Sequence, residues 1–598
     1  MRIKLTLAAS VLALGLATAG TASAQTYGRI VTFGDSLSDN GNLYAAAASP
    51  ASPPYYQGRF SNGPVWVELL GWTQARFGGS VTGSFNGAYG GARTDNDVGF
   101  PFGMPQQITN YLGAGGVFRR DDLVTLWGGA NNVFQGMPTA AGTLDPFGYM
   151  TVEAGNSAVE MGMMINQIAT AGAGTILVAN LPNLGTTPQF RGTSGQGLAT
   201  HSTNVFNAAL YNQLVTQAAA HPTTNVIFMD ANRAFNVLLA APGRFGFTNV
   251  TDRCLVGATA CATPDTYVFW DGVHPTAAGH RLLAGLATDY LYYGNFGAYS
   301  AVEGEIGVRA RADGLDAVTE RLGSGASDPQ PGGLYMGLTY DQHSFDDRGV
   351  IAGGDMTGGT LTVGADGDLA TGLRAGGALQ LRTGDVDLGL VQFTAEGASL
   401  DAYMGWRQGG FFVNAAAGYS WDQYDDIARQ TATPGVVAHS NTAGSSFGAK
   451  VEGGMVYDMG GLAFVPRAGL SWISTTVDGY VEENPFGAQH QVNERSIDMV
   501  SAEVALRVEG DMGGIGFWGE GGYRDVLSHD GDPVIIGLAG NTALPIEFDA
   551  GDPDGGQALI GAGLSTNWGP AEISVGYRGR IGESYDTHSG GVEVTVHF

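Results

Sequence analysis

From Leu334 to the terminal Phe598 the hydrophobic period is two. Val504, Leu506 and Val508 alternate with Glu503, Ala505, Arg507 and Glu509; Ile573, Val575 and Tyr577 alternate with Glu572, Ser574, Gly576 and Arg578. Val592, Val594, Val596 and Phe598 close the chain against Glu593, Thr595 and His597. Successive side chains of a strand point to opposite faces, so each such segment is a ribbon with one apolar and one polar side. About 12 of them follow one another, each near the ~9–11 residues with which a tilted strand crosses a bilayer. The series as a whole must find apolar surroundings for one face and polar surroundings for the other. An antiparallel outer-membrane β-barrel meets both demands; acidic longer loops such as Gly531–Gly556 and the many tyrosines and tryptophans fit it. A soluble β-sandwich or propeller is the competing architecture.

The start of the chain favours the barrel. Arg2 and Lys4 precede an apolar run from Leu5 to Leu16, and Ala22-Ser23-Ala24 stands before Gln25, the pattern of a secretory signal peptide cleaved after Ala24. That run is shorter than the ~20 residues of a spanning helix, and no later stretch offers about 18 uninterrupted apolar residues. With 598 residues the chain needs several domains. Its net charge is −28, and Lys4 and Lys450 are its only lysines, which excludes nucleic acid as a partner because phosphate binding needs clustered positive charge. In an exported protein Cys254 and Cys261, seven positions apart, are expected to form one local disulfide, with two free thiols as the alternative. The histidines are scattered, with no His-Glu-x-x-His and no paired Cys-x-x-Cys, so neither a metal nor an organic cofactor is expected. Asp549, Asp552 and Asp554 lack the spacing and final Glu of a calcium loop and read as solvated.

Between Gln25 and Gly297 the pattern is different: strand-like runs alternate with helical ones. Strands are predicted at Arg29–Phe33, Val81–Asn86, Leu123–Trp127, Thr175–Ala179 and Asn225–Met229, and helices at Val65–Phe77, Thr151–Ala171, Leu198–Ala220 and Ala277–Tyr293. This alternation implies a three-layer α/β domain with a parallel sheet, whose ligands bind at the carboxyl ends of the strands. The first strand runs into Gly34-Asp35-Ser36-Leu37, the second into Asn86-Gly87-Ala88-Tyr89-Gly90-Gly91, and the third into Trp127-Gly128-Gly129-Ala130-Asn131-Asn132. Asp271-Gly272-Val273-His274 comes just before the last helix. An Asp three residues before a His can accept from its Nδ1–H, which leaves Nε2 to take a proton from a serine hydroxyl.

These blocks, in this order, resemble the SGNH (GDSL) hydrolase family of lipases and esterases, and Asn62-Gly63-Pro64-Val65-Trp66 is similar to a further segment of that family. The resemblance implies Ser36 as nucleophile, His274 as general base and Asp271 as its orienting acid. It implies an oxyanion hole made by the backbone N–H of Ser36, the N–H of Gly91 and the side-chain amide of Asn131; Gly90, next to Gly91, is the alternative donor. The family has Asp where this chain has Asn132, so altered local hydrogen bonding is expected there. Asp35, Asp39 and Asn42 read as turn and hydrogen-bonding residues, His280 as a packing residue of the last helix, His201 and His221 as solvated, and Trp66 and Trp127 as core. Gly444-Ser445-Ser446-Phe447-Gly448 fits Gly-x-Ser-x-Gly, but it lies in alternating β pattern rather than a strand–turn–helix, and is read as coincidence.

Ala301–Leu322 is helical in pattern but too polar for a core helix, with Arg309, Arg311 and Arg321 among Glu303, Glu305 and Glu320; Gly323–Gly333 is a plain linker. Signal peptide, hydrolase, helix and barrel together resemble the autotransporter (type V) esterases. The boundaries expected are 1–24 for the signal peptide, 25–297 for the esterase passenger, 298–333 for the helical connector and linker, and 334–598 for the barrel. The resemblance implies a helix threaded through the lumen and a passenger displayed at the cell surface, hydrolysing carboxylic esters. The expected partners are an acyl-ester or lipid substrate, the outer-membrane bilayer and the barrel-assembly machinery, with the chain a monomer. Phospholipase, lysophospholipase or acyltransferase activity is the alternative within the same site; a catalytically dead adhesin is the alternative outside it.

Overall fold

A computed structural model describes residues 25–97, 99–322, 332–549 and 555–598. The signal-peptide segment, most of the Gly323–Gly333 linker, Asp552 and Asp554 lie outside the described residues. In the first half, β1 (Arg29–Gly34), β2 (Phe85–Asn86), β3 (Asp122–Trp127), β4 (Thr175–Ala179) and β5 (Asn225–Met229) form one parallel sheet in the order β2-β1-β3-β4-β5. The strands are nearly all buried, yet their period of two still sorts two cores. Ile30, Leu123, Leu177 and Ile227 face the Ala277–Leu291 helix side. Val31, Phe33, Val124, Leu126, Ile176 and Val178 face the helices Met104–Gly113, Pro146–Thr170 and Gln196–Ala220. Between β1 and β3 the strand order reverses, and such a switch point opens a crevice at the carboxyl ends. The register Gly34↔Trp127 places the segments after β1 and β3 side by side across it.

Two of the predicted elements are much shorter than expected. Val65–Phe77 contains only a 3₁₀ turn, Trp66–Leu70, because Gly71 takes a left-handed conformation (φ 100°) and the chain then runs extended, with Ala75 bridging Phe85. Val81–Asn86 reduces to the two residues of β2. Helices not expected from the sequence cover Asn42–Ala47, Met104–Gly113, Ala130–Ala141 and Ala231–Ala240.

The second half forms one antiparallel sheet of 13 strands among the described residues, one of them the two-residue Tyr457–Asp458. The remaining 12 make the wall of a closed barrel: Gly333–Phe345 pairs with Gly354–Ala370 on one side and with Tyr585–His597 on the other. Leu334, Met336, Leu338 and Tyr340 point outward and are 56–60% exposed, whereas Tyr335 between them is buried inside. The Ala301–Arg321 helix, 21 residues and so ~31 Å long, runs through the lumen. Several of its charged residues are enclosed and paired: Arg311 with Asp401, Arg321 Nε with Asp366 at 2.9 Å, and Glu305 with Arg348, on the turn between Gly333–Phe345 and Gly354–Ala370, at 2.6 Å. At the level of Asp316, between those of Arg311 and Arg321, Lys450, Arg467 and Arg524 converge on Glu503 at 2.8, 2.6 and 2.6 Å. Ser446 of the Gly-x-Ser-x-Gly match sits mid-strand inside this lumen, held by Thr475 and Asp422, with no strand–turn–helix around it.

Part of the barrel rises beyond the wall. Tyr480–Val481, His490–Val492, Val534–Leu538 and Ile546–Phe548 form a separate 4-stranded sheet that packs against the first half. Within the expected loop Gly531–Gly556, Val534–Leu538 and Ile546–Phe548 are therefore strands, because Val534, Ile536 and Leu538 share a core with Leu286 and Tyr290.

Candidate active site

Ser36 sits in the turn that ends β1. A side chain at Gly34 would come within 2.5 Å of the Trp127 carbonyl, so glycine is required for β1 to run this close to β3. The turn is held by backbone donors: Asp35 Oδ1 accepts from Leu37 N at 3.1 Å, and the Asp35 carbonyl accepts from Ser38 and Asp39 N. The Asp39 carboxylate accepts from the N–H groups of Gly41, Asn42, Leu43 and Gly90. Asn42 Nδ2 donates to the carbonyls of Asn86 and Ala88 at 3.0 and 2.9 Å. Asp39 and Asn42 thus stitch the serine turn to the glycine block, while Asp35 closes the turn itself.

His274 lies on the loop before the Ala277–Leu291 helix, whose N-cap is Thr276. Its Nδ1–H donates to Asp271 Oδ2 at 2.7 Å, and its Nε2 accepts from Ser36 Oγ–H at 2.8 Å; the carboxylate at Nδ1 fixes this tautomer. Asp271 Oδ1 accepts from the N–H of Val273 and His274, and Oδ2 from the hydroxyl of Tyr55 at 2.8 Å. Burial alone would raise the Asp271 carboxyl, but the neighbouring imidazole and these donors hold it well below the usual carboxylate range. Burial works against charge on His274, and the carboxylates of Asp271 and Asp35 outweigh it, so the imidazole is raised above its ordinary 6.5. Asp35 is itself pushed up to about 6 by burial, against the pull of the Leu37 N–H.

The loop carrying Asp271 and His274 is braced from behind. A disulfide joins Cys254 to Cys261; Cys254 N donates to Phe269 O, Leu255 N to Trp270 O, and Trp270 N to His274 O. Tyr55 packs edge-on against Phe60 and Trp270, and the Phe60 ring lies 5.0 Å from the imidazole. Tyr55 and Phe60 went unnoticed in the sequence; they belong to no strand end, and nothing local marks a tyrosine as the partner of a carboxylate far along the chain.

Asn131 and Ser36 line the same crevice. Asn131 Nδ2 uses one hydrogen on the Ala92 carbonyl at 3.0 Å, which leaves the second for a ligand. The Gly90 N–H is committed to Asp39 at 2.8 Å, so of the two glycines it is Gly91, at φ 80°, whose N–H can serve an oxyanion. Asn132 is buried: Oδ1 accepts from Thr94 N, and Nδ2 donates to Asp95 Oδ2 at 3.1 Å. A carboxylate there would face Asp95, which accounts for an amide at this position. His280 is buried on the last helix and its Nδ1 accepts from Trp66 N at 3.2 Å; burial pushes it down to about 3, so it stays neutral. His201 and His221 bond Thr151 and Asn166 away from the site. Trp66 and Trp127 are core, and Trp127 also floors the crevice.

Residues 30–286 match the family model of GDSL-like lipases and acylhydrolases, and residues 334–578 that of the autotransporter beta-domain. Among relatives, a phosphatidylcholine-sterol acyltransferase of Aeromonas hydrophila is 29% identical over 44% of this chain and 90% of its own length. Esterase EstA of Pseudomonas aeruginosa is 26% identical over 73% of both chains. Among solved structures, the translocator domain of the autotransporter NalP from Neisseria meningitidis covers 50% of this chain and 100% of its own, at 16% identity and a TM-score of 0.42. The chain is accordingly a GDSL-like lipase/acylhydrolase carried on an autotransporter beta-domain, and by family an ester hydrolase.

Proposed function

We propose that Ser36, His274 and Asp271 are the catalytic triad of a carboxylesterase or lipase held at the cell surface by its own barrel. The observation that carries this reading is the unbroken relay from Asp271 through both nitrogens of His274 to Ser36 Oγ, at the mouth of an apolar crevice. Ser36 Oγ attacks the ester carbonyl while His274 Nε2 takes its proton; the same proton then goes to the departing alcohol. The negative charge on the carbonyl oxygen is met by the N–H groups of Ser36 and Gly91 and by Asn131 Nδ2. Water attacks the acyl-Ser36 ester by the reverse of these steps and frees the acid. Collapse of the acyl-enzyme onto a second alcohol instead of water is the acyltransferase reading, favoured by the relative that bears that name. One chain closes the wall by itself, which supports a monomer; delivery by the barrel-assembly machinery is supported by the match to the autotransporter beta-domain.

Fluorophosphonate labelling of intact cells expressing the wild type or Ser36→Ala tests the reading. Labelling of wild type alone is the expected result. Labelling only after lysis removes surface display and keeps the esterase; no labelling in either sample overturns both.

A further inference from the structure

The crevice beside Ser36 continues as an apolar pocket between the Ala231–Ala240 and Ala277–Leu291 helices, and one of its walls comes from the other half of the chain. Leu181, Ala234, Leu238, Leu282 and Leu286 line it from the hydrolase side; Phe486 lines it from the barrel side. Phe486 lies on the turn between Tyr480–Val481 and His490–Val492, strands of the sheet that rises beyond the barrel wall. Its ring is 3% exposed and packs on Phe245 with centroids 4.8 Å apart.

The turn is fixed from both halves. Asn484 Oδ1 accepts from the N–H of Phe486 and Gly487 at 3.2 and 2.9 Å, and Asn484 Nδ2 donates to Ala488 O. Arg233 of the hydrolase donates to Gly487 O and, at 2.8 Å, to Gln489 Oε1. Arg429 of the wall bridges Glu482 of the turn, at 2.7 Å, to Asp289 of the hydrolase, at 3.4 Å. An apolar ring locked by this many polar contacts is positioned rather than merely accommodated.

The Ala277–Leu291 helix gives the depth. It starts three residues after His274, and Leu286 stands nine residues into it, on the order of 14 Å from the catalytic end. A side chain at Gly487 would lie 3.5 Å from Leu286, so the turn meets the helix at that depth. We propose that Phe486 is the far wall of the acyl-binding pocket, so that the barrel half sets the acyl-chain length the hydrolase half accepts. The substrates this implies are esters of linear, medium-length fatty acids whose chain ends at the ring; longer chains must displace it. The inference rests on the esterase reading of Ser36.

The test uses the full-length protein in outer membranes, with p-nitrophenyl butyrate, octanoate, laurate and palmitate as probes and the wild type beside Phe486→Ala, Phe486→Leu and Phe486→Trp. Fluorophosphonate labelling at Ser36 selects the variants that fold. The kcat/KM ratio of palmitate to octanoate should rise about tenfold in Phe486→Ala, rise less in Phe486→Leu and fall in Phe486→Trp, as expected when the end of a hydrophobic pocket moves. Ratios that stay at the wild-type value in variants that label overturn the inference and leave the esterase standing. Loss of labelling in all three variants makes the ring a folding element and overturns it as well. A wild type that neither labels nor hydrolyses any probe overturns both readings.

Discussion

The two halves of this molecule bury charge to opposite ends. In the hydrolase half the interior is apolar on both faces of the sheet, and Asp35, Asp271 and His274 stand together at one strand edge. In the barrel half the apolar side chains face outward, and the buried ionic groups fill the lumen in compensating clusters such as Lys450, Arg467 and Arg524 around Glu503. Asp35, Asp271 and His274 of the first half are left with shifted proton affinities that chemistry can use. In the second half the charge on Glu503 is neutralised on several sides, and Lys450 and Arg524 of its cluster tie the wall to Asp316 of the threaded helix. Breaking a buried pair leaves an uncompensated charge in the interior, whereas disturbing the strand-edge group removes a reaction step.

This contrast makes graded predictions. Asp271→Asn should lower kcat by about 10⁴-fold, because the imidazole loses both its orientation and its Nδ1 proton acceptor, while the protein still inserts and stays folded; steady-state turnover of a soluble ester measures it. Asn131→Ala should cost about 10²–10³-fold in kcat with a smaller change in KM, the signature of a donor that acts on the developing oxyanion. Glu503→Gln should leave ester turnover near wild type yet destabilise the barrel by about 3 kcal/mol, read as a lower midpoint for loss of its compact electrophoretic form on heating. If this variant instead loses activity as steeply as the first two, the division between the halves fails. The smallest effect is in pH. Because Asp271 and Asp35 raise His274 above 6.5, and the base must be neutral, the acid limb of kcat/KM should fall above pH 6.5, and Asp35→Asn should move it to lower pH. A limb unmoved in Asp35→Asn would show that Asp35 acts on the turn alone.

Much of this was legible in the sequence where a local pattern has one structural solution. A period of two kept up over the whole of 334–598 left a closed sheet as the economical outcome, and apolar runs ending in Gly-Asp-Ser and Gly-Gly-Ala-Asn marked strand ends around a switch point. Val65–Phe77 misled because its apolar spacing suits a helix, while Gly71 ends the turn and Ala75 is drawn to Phe85. The helix that begins at Ala130 was hidden because Gly136 and Pro138, residues that ordinarily break a helix, stand inside it. Tyr55, 216 residues before Asp271, and Phe486, in the other half altogether, could not be found by any local rule, since only the folded chain brings them to the site. The ion pairs of the lumen were foreseeable as a class, from a helix too polar to be core, but their partners depend on the stagger of strands around the tube.

The outermost strand of the hydrolase sheet gives the union of the halves another meaning. β5 ends the sheet, and its free side is taken up by the rising part of the barrel: Asn541 both donates to Phe228 O at 2.7 Å and accepts from Phe228 N at 3.0 Å, while the Thr542 hydroxyl donates to Val226 O. A strand edge without such a cover is a template on which another copy can build. A hydrolase half made without its barrel would present that edge to its neighbours and be drawn toward aggregation. The chain thus carries its own stopper against self-association, in a segment 313 residues beyond the edge it covers.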